Sequence, residues 1–126
     1  MNLRDKHILV VDDEPLLVRL NKRQLENKGF RVSVSTDSNE ALEQFTKNPG
    51  KFHLLLTDLT MPGMSGTELI KKIHQQSPEL PVIVLTGMSD KQIEDQLYEL
   101  GVSAVVVKPV MEDELLIAVA HAFGEE

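Results

Sequence analysis

Five short apolar runs, each followed by a stretch with helical spacing, constrain this chain more than any other feature of its sequence. The runs are His7–Val11, Arg31–Ser35, 54–57, Val82–Thr86 and Ala104–Val107. A strand covered by helices on both faces of its sheet has no polar side, so it reads as an almost unbroken string of Val, Ile and Leu. The first, third, fourth and fifth runs have this character and predict strands buried on both faces. The second, Arg31-Val32-Ser33-Val34-Ser35, alternates and predicts an edge strand.

The stretches between the runs carry helix signals. Residues 15–28 open with Pro15, which suits a first helical turn, and stop before Gly29. Asp37-Ser38-Asn39-Glu40 is a start signal for a helix through Lys47, and Asn48-Pro49-Gly50 is its stop. Residues 65–76 place Leu69, Ile70 and Ile73 on one face, residues 90–100 place Ile93, Leu97 and Leu100, and residues 111–123 place Leu115, Leu116, Val119 and Phe123. Such stripes belong to helices laid on a sheet. In the first helix, Asn21 interrupts the apolar face of Leu17, Leu20 and Leu25, and the expectation is an asparagine that is partly exposed or bonded to backbone. Strand–helix alternation repeated five times predicts an α/β doubly wound parallel sheet. With no repeat, linker or low-complexity segment, residues 1–126 are read as a single domain.

Composition excludes several chemistries. There is no cysteine, so disulfides, zinc–thiolate sites, iron–sulfur clusters and thiol catalysis are out. A net charge of −7 with only 4% aromatic residues argues against direct nucleic-acid binding. No apolar run approaches the ~20 residues of a membrane-spanning helix, so no membrane insertion is expected. Met1-Asn2-Leu3-Arg4-Asp5-Lys6 lacks the apolar stretch of a secretory leader, and the cytoplasm is the expected location.

Ligands of doubly wound folds sit beyond the carboxyl ends of the strands. There the sequence puts Asp12-Asp13-Glu14, Asp58, Thr86-Gly87 and Lys108-Pro109. Each alone is unremarkable: an aspartate after a strand commonly caps a helix, and a lone lysine is commonly solvated. Together they place several carboxylates on one rim, and two such charges ~4 Å apart repel by ~4 kcal/mol at an effective dielectric near 20. A cation must offset that. All-oxygen ligation suits a hard divalent ion such as Mg²⁺, and a carboxylate left free of it can attack a phosphoryl group. Lys108, the Thr86 hydroxyl and the backbone N–H near Gly87 can then share the charge on the phosphoryl oxygens. His7, His53, His74 and His121 have no metal-ligand spacing and are treated as ordinary residues.

The segments ILVVDDEP, LLLTDLTMPGMSG, VIVLTG and VVVKP, in this order and spanning essentially the whole chain, resemble the signature segments of the response-regulator receiver domain of two-component signalling. The resemblance implies a chemotaxis-type, flavodoxin-like receiver fold: a five-stranded parallel sheet of order 2-1-3-4-5 flanked by five helices. It implies that Asp58 is the phosphoacceptor. Asp12 and Asp13 would hold Mg²⁺ together with the Asp58 side chain and the backbone carbonyl of Thr60. Thr60, Thr86, Gly87 and Lys108 would contact the phosphoryl group, with Asp58, Thr86 and Lys108 carrying the chemistry. Pro62, Gly63 and Gly66 match the loop that follows the acceptor. The implied partner is a histidine kinase or a histidine phosphotransfer domain in a phosphorelay, and homodimerisation through the fourth helix, fifth strand and fifth helix is a candidate mode. Such a domain catalyses its own phosphorylation and dephosphorylation and is not a metabolic enzyme. Leu85-Thr86-Gly87 and 61–66 are also similar to receivers attached to hybrid histidine kinases.

One position departs from the family pattern. Many receivers carry Tyr or Phe three residues before the strand-five lysine, and here Val105 stands there. The family commonly has a cis bond where this chain has Lys108–Pro109, so cis is expected. The positions two after the acceptor and two after the threonine, which flank the path of the hydrolytic water, are Thr60 and Met88, neither of them an acid or amide. Slow loss of the phosphoryl group follows as an expectation. Two rivals remain. A haloacid-dehalogenase-like phosphatase also uses an aspartate nucleophile, but places it on the first strand, ahead of the metal acids. A non-phosphorylated pseudo-receiver would be expected to lack an acid or the lysine, and none is missing.

Overall fold

The computed structural model describes residues 5–88 and 90–124. Residues 1–4 of the stretch Met1–Lys6, on which the expectation about a secretory leader rests, Ser89 in the loop after the fourth strand, and residues 125–126 lie outside the described residues. The strands are β1 (His7–Val11), β2 (Arg31–Ser35), β3 (Leu54–Asp58), β4 (Val82–Thr86) and β5 (Ala104–Val107). The helices are α1 (Pro15–Glu26), α2 (Ser38–Lys47), α3 (Gly66–Gln76), α4 (Lys91–Glu99) and α5 (Glu112–Ala122), and a 3₁₀ turn, Pro49–Lys51, precedes β3. All pairings are parallel and the strand order is β2-β1-β3-β4-β5, as the resemblance implies.

The pleat sorts the apolar runs onto two faces. Leu9, Val11, Leu55, Val82 and Val84 meet Ala41 and Phe45 of α2, Leu69, Ile70 and Ile73 of α3, and Leu97 of α4. Ile8, Val10, Leu54, Leu56, Ile83 and Leu85 meet Val18 and Leu25 of α1 and Leu115, Ala118 and Val119 of α5. Each fully buried Leu or Ile contributes about 1.5–3 kcal/mol relative to exposure. Helix starts follow local chemistry. Asp37 accepts hydrogen bonds from the Asn39 and Glu40 N–H groups, Ser65 from Glu68, and Asp90 from Ile93. His74 ties the far end together, with Nδ1 3.1 Å from the Leu100 carbonyl and Nε2 3.0 Å from that of Leu80.

Two expectations fail. β5 is apolar but not buried on both faces. It is the second edge of the sheet, and Val107 is exposed. In α1 the buried residues are Val18, Asn21 and Leu25, not a Leu17–Leu20–Leu25 face, and Leu16 and Leu20 are exposed. Asn21 is therefore neither partly exposed nor bonded to backbone: it is buried, and among the described residues its side chain has no hydrogen bond.

Candidate functional site

Strand order reverses at β1, which lies between β2 and β3. α1 leaves β1 onto one face of the sheet and α3 leaves β3 onto the other. The two exits diverge and open a crevice at the carboxyl ends of β1 and β3. Asp12 is the first residue after β1 and Asp58 the last of β3, so topology places both acids there.

Asp12 is fixed by its own turn. Its N–H donates to the Ser35 carbonyl at 3.2 Å, and its Oδ1 accepts the Glu14 N–H at 3.0 Å. That second bond is the local aspartate turn typical of a chain leaving a strand. Asp58 Oδ1 accepts the Leu59 N–H at 2.8 Å. Both carboxylates are buried, while Asp13 is exposed at the mouth. One carboxylate oxygen from each of Asp12, Asp13 and Asp58 lies within 4.8 Å of the others. An all-oxygen set of this kind fits a hard cation such as Mg²⁺.

Lys108 reaches this cluster from the opposite edge of the sheet. Its backbone N–H donates to the Thr86 carbonyl at 2.7 Å, which anchors it beside β4. Two strand spacings, ~10 Å, separate β5 from β3, a gap that only a long side chain can cross. Lys108 Nζ lies 2.9 Å from Asp12 Oδ2 and 3.3 Å from Asp58 Oδ2. The Lys108–Pro109 peptide bond is cis, as expected.

The electrostatics follow from burial and this one ammonium. Burial pushes the Asp58 carboxyl above its ordinary value; Lys108 opposes the rise, and the charge of Asp12 adds to it. Burial alone would weaken the hold of Lys108 on its proton. The hydrogen bond and charge of Asp12, with the charge of Asp58, outweigh it and hold the ammonium above its ordinary value.

The hydroxyl half of the site is arranged differently. Thr86 is buried, and its Oγ1 donates to the Met88 carbonyl at 2.8 Å while accepting the Met88 N–H at 3.3 Å. Its hydroxyl is thus closed onto its own loop, without a hydrogen bond to Asp58. Gly87 and Thr60 lie exposed on the loops after β4 and β3. Met88 is 75% exposed and projects into solvent. Val105 is half-buried and packs against the α2–α3–α4 face, with no aromatic ring to rotate there.

The loop after Asp58 is held by backbone contacts that the sequence alone does not display. The Gly66 N–H donates to the Leu59 carbonyl at 2.9 Å. A Cβ on Gly66 would collide with the Asp58 carbonyl oxygen and come within 2.9 Å of Leu59 Cα. Gly63 has φ +74°, a conformation that disfavours other residues. Ser38 Oγ donates to the Met64 carbonyl at 2.7 Å, tying this loop to α2. Only the Gly-rich composition of 61–66 hinted at the close approach.

Comparison with known proteins agrees with this geometry. The family model for the response regulator receiver domain matches residues 8–120. The chain is 37% identical over 103 residues to response regulator RR06 of Streptococcus pneumoniae, a match that covers 82% of this chain and 46% of that protein. It is 34% identical over 108 residues to the sensor protein EvgS of Escherichia coli, covering 86% of this chain and 9% of that protein. The chain thus spans about half or less of these curated relatives. Among solved structures, a response regulator receiver domain protein from Clostridium thermocellum superposes with a TM-score of 0.89 at 33% identity, covering 94% of each chain. The chemotaxis protein CheY4 of Vibrio cholerae superposes with a TM-score of 0.87 at 26% identity, covering 93% of this chain and 98% of that one. Carrying that family's segments in order on its five-stranded fold, the chain belongs to the response-regulator receiver domain family.

Proposed function

We propose that residues 1–126 act as one phosphoacceptor receiver in a two-component phosphorelay, taking a phosphoryl group onto Asp58 from the phosphohistidine of a histidine kinase or histidine phosphotransfer domain, or from a small phosphodonor. Receivers as a family accept phosphoryl groups on aspartate, generally bind Mg²⁺ at an acidic pocket, and interact with histidine kinases or phosphotransfer partners. The observation that carries the reading here is the convergence of Asp12, Asp13 and Asp58 within 4.8 Å, with Lys108 bonded across them.

In the proposed reaction an Asp58 carboxylate oxygen attacks phosphorus, the phosphorus–nitrogen bond to the donor imidazole breaks, and the bonding pair stays on that nitrogen. Asp12, Asp13, the Asp58 side chain and the Thr60 carbonyl are the proposed Mg²⁺ ligands. The bound ion would supply charge neutralisation between carboxylates and phosphoryl oxygens. Lys108 turns from its bond with Asp12 toward a phosphoryl oxygen. Thr86 exchanges its bond to the Met88 carbonyl for one to another oxygen, and the Gly87 N–H is placed to follow. That exchange pulls on the loop after β4 and repacks the face of α4, β5 and α5, where Tyr98, Val107 and Ile117 already stand exposed for a partner or a second copy to meet. Among the described residues no helix is long and apolar enough to cross a membrane, and a cytoplasmic location belongs to the same proposal.

The test is incubation with acetyl phosphate and Mg²⁺, read by intact mass. One phosphoryl group on the wild type and none on Asp58→Asn is the expected result. Asp13→Asn should weaken Mg²⁺ binding far more than Glu14→Gln. Full labelling of Asp58→Asn sinks the assignment.

A further inference from the structure

A cavity of about 430 Å³ opens on the α1 side of the Asp12–Lys108 pair. Its walls are Leu17, Leu20, Leu85, Pro109 and Val110, all apolar, and Asn21 lies among them. Only 6% of Asn21 is exposed. Among the described residues, nothing donates to or accepts from its carboxamide. Among the described residues every fully enclosed side-chain nitrogen and oxygen does have a partner, so the amide of Asn21 is not sealed in; it keeps access to the cavity that it lines.

A carboxamide offers two donors and an acceptor, and buried polar groups are ordinarily paired. Asn21 occupies the buried stripe of α1 between Val18 and Leu25, where an aliphatic residue would pack without that need. Asp12 and Lys108 also line the cavity, but they are paired with each other at 2.9 Å and belong to the phosphoryl site proposed above. What remains unmatched is one amide edge in an apolar chamber, of a size suited to a small organic molecule.

We propose that this cavity binds a small uncharged molecule with an apolar body and an amide-like edge, such as a lactam or carboxamide. The edge pairs with Asn21 through one donated and one accepted hydrogen bond, and the body packs on Leu17, Leu20, Leu85 and Val110. The site requires neither Asp58 nor Thr86.

Benzamide is the probe, with toluene as its counterpart lacking the amide, followed by ¹⁵N backbone shifts of the full chain without Mg²⁺. Benzamide should shift Asn21, Leu85, Lys108 and Val110 saturably. Asn21→Ala should weaken benzamide about tenfold, the loss expected for two hydrogen bonds at the lower part of their usual net range, and leave toluene unchanged. Asn21→Leu should raise the thermal midpoint without ligand, because a carboxamide kept for binding does not hold the fold together and Leu is the better helix former. Non-saturating or scattered shifts, equal benzamide binding by Asn21→Ala, or a lowered midpoint in Asn21→Leu would each overturn the proposal. Labelling of Asp58 by acetyl phosphate is measured separately, in the absence of benzamide and toluene, so the binding site and the phosphoacceptor role stand or fall separately.

Discussion

Lys108 and Asp12, 96 positions apart in the chain, are joined by a 2.9 Å hydrogen-bonded ion pair at the carboxyl edge of the sheet. The same ammonium lies 3.3 Å from Asp58, so one cation offsets two buried carboxylates. Lys108→Ala leaves both uncompensated. The expected cost at neutral pH is about 3 kcal/mol, the low end for breaking a buried pair, because the Lys108 side chain stays 22% exposed. Urea unfolding checks this, and adding Asp58→Asn should restore part of the loss. A Lys108→Ala variant as stable as wild type would show that the carboxylates do not need the ammonium.

In the proposed reaction, phosphoryl lifetime depends on water at the proposed acceptor Asp58. Thr60 is exposed and offers only a hydroxyl, and Met88 points into solvent, so neither orients an attacking water as strongly as an acid or amide would. Spontaneous loss of the phosphoryl group should therefore be slow. Met88→Glu or Thr60→Asn, each supplying a group that can hold a water by hydrogen bond, should speed phosphate release several-fold. Release kinetics that stay unchanged or slow down in both variants contradict the water-access argument.

Gly66 has no room for a methyl group beside the Asp58 carbonyl. Gly66→Ala must push β3's last residue or the start of α3 aside, an overpacking cost of about 1–3 kcal/mol. Because the displaced residue is the proposed acceptor, both the thermal midpoint and the labelling rate should fall together. A normal labelling rate with a lowered midpoint would place the strain elsewhere in the loop.

Acid sensitivity should arise at the opposite end of the sheet. The His7 N–H donates to His53 Nδ1 at 3.0 Å, and His7 Nε2 lies 2.7 Å from Ser33 Oγ. Protonating His53 Nδ1 removes that acceptor. Burial, reinforced by Lys51, Arg31 and His53, lowers the His7 value below 6.5; burial with Lys6 and Arg31 lowers that of His53. The unfolded chain therefore binds protons first. Stability is fully present above pH 6.5 and is lost as the pH falls from there toward the lowered native values. Urea midpoints should drop between about pH 7 and pH 5.5, and His53→Asn, whose amide oxygen can accept the same N–H, should flatten the profile. An unchanged slope in that variant would assign the acid sensitivity to other groups.

Local rules read most of the frame from the sequence. Five short runs became five strands, of which β1, β3 and β4 are buried on both faces and so carry almost no polar side, and Asp37, Ser65 and Asp90 start their helices through short-range bonds to backbone N–H groups. The residue types at the strand ends were legible for the same reason, since a doubly wound sheet carries every such end to one rim. Tertiary structure decided what local pattern leaves degenerate. β5 is as apolar as β3 yet lies at an edge, because its exposure depends on whether another strand pairs beyond it. α1 has apolar residues at 16, 17, 18, 20 and 25, which permit more than one inward face, and docking on the sheet selected Val18, Asn21 and Leu25. Thr86 aims its hydroxyl at Met88 rather than at Asp58, pairing with both the carbonyl and the N–H of that residue in its own loop. Residue type is a local property of the chain. The partner each side chain meets is set by elements distant in sequence, and only the folded packing brings those together.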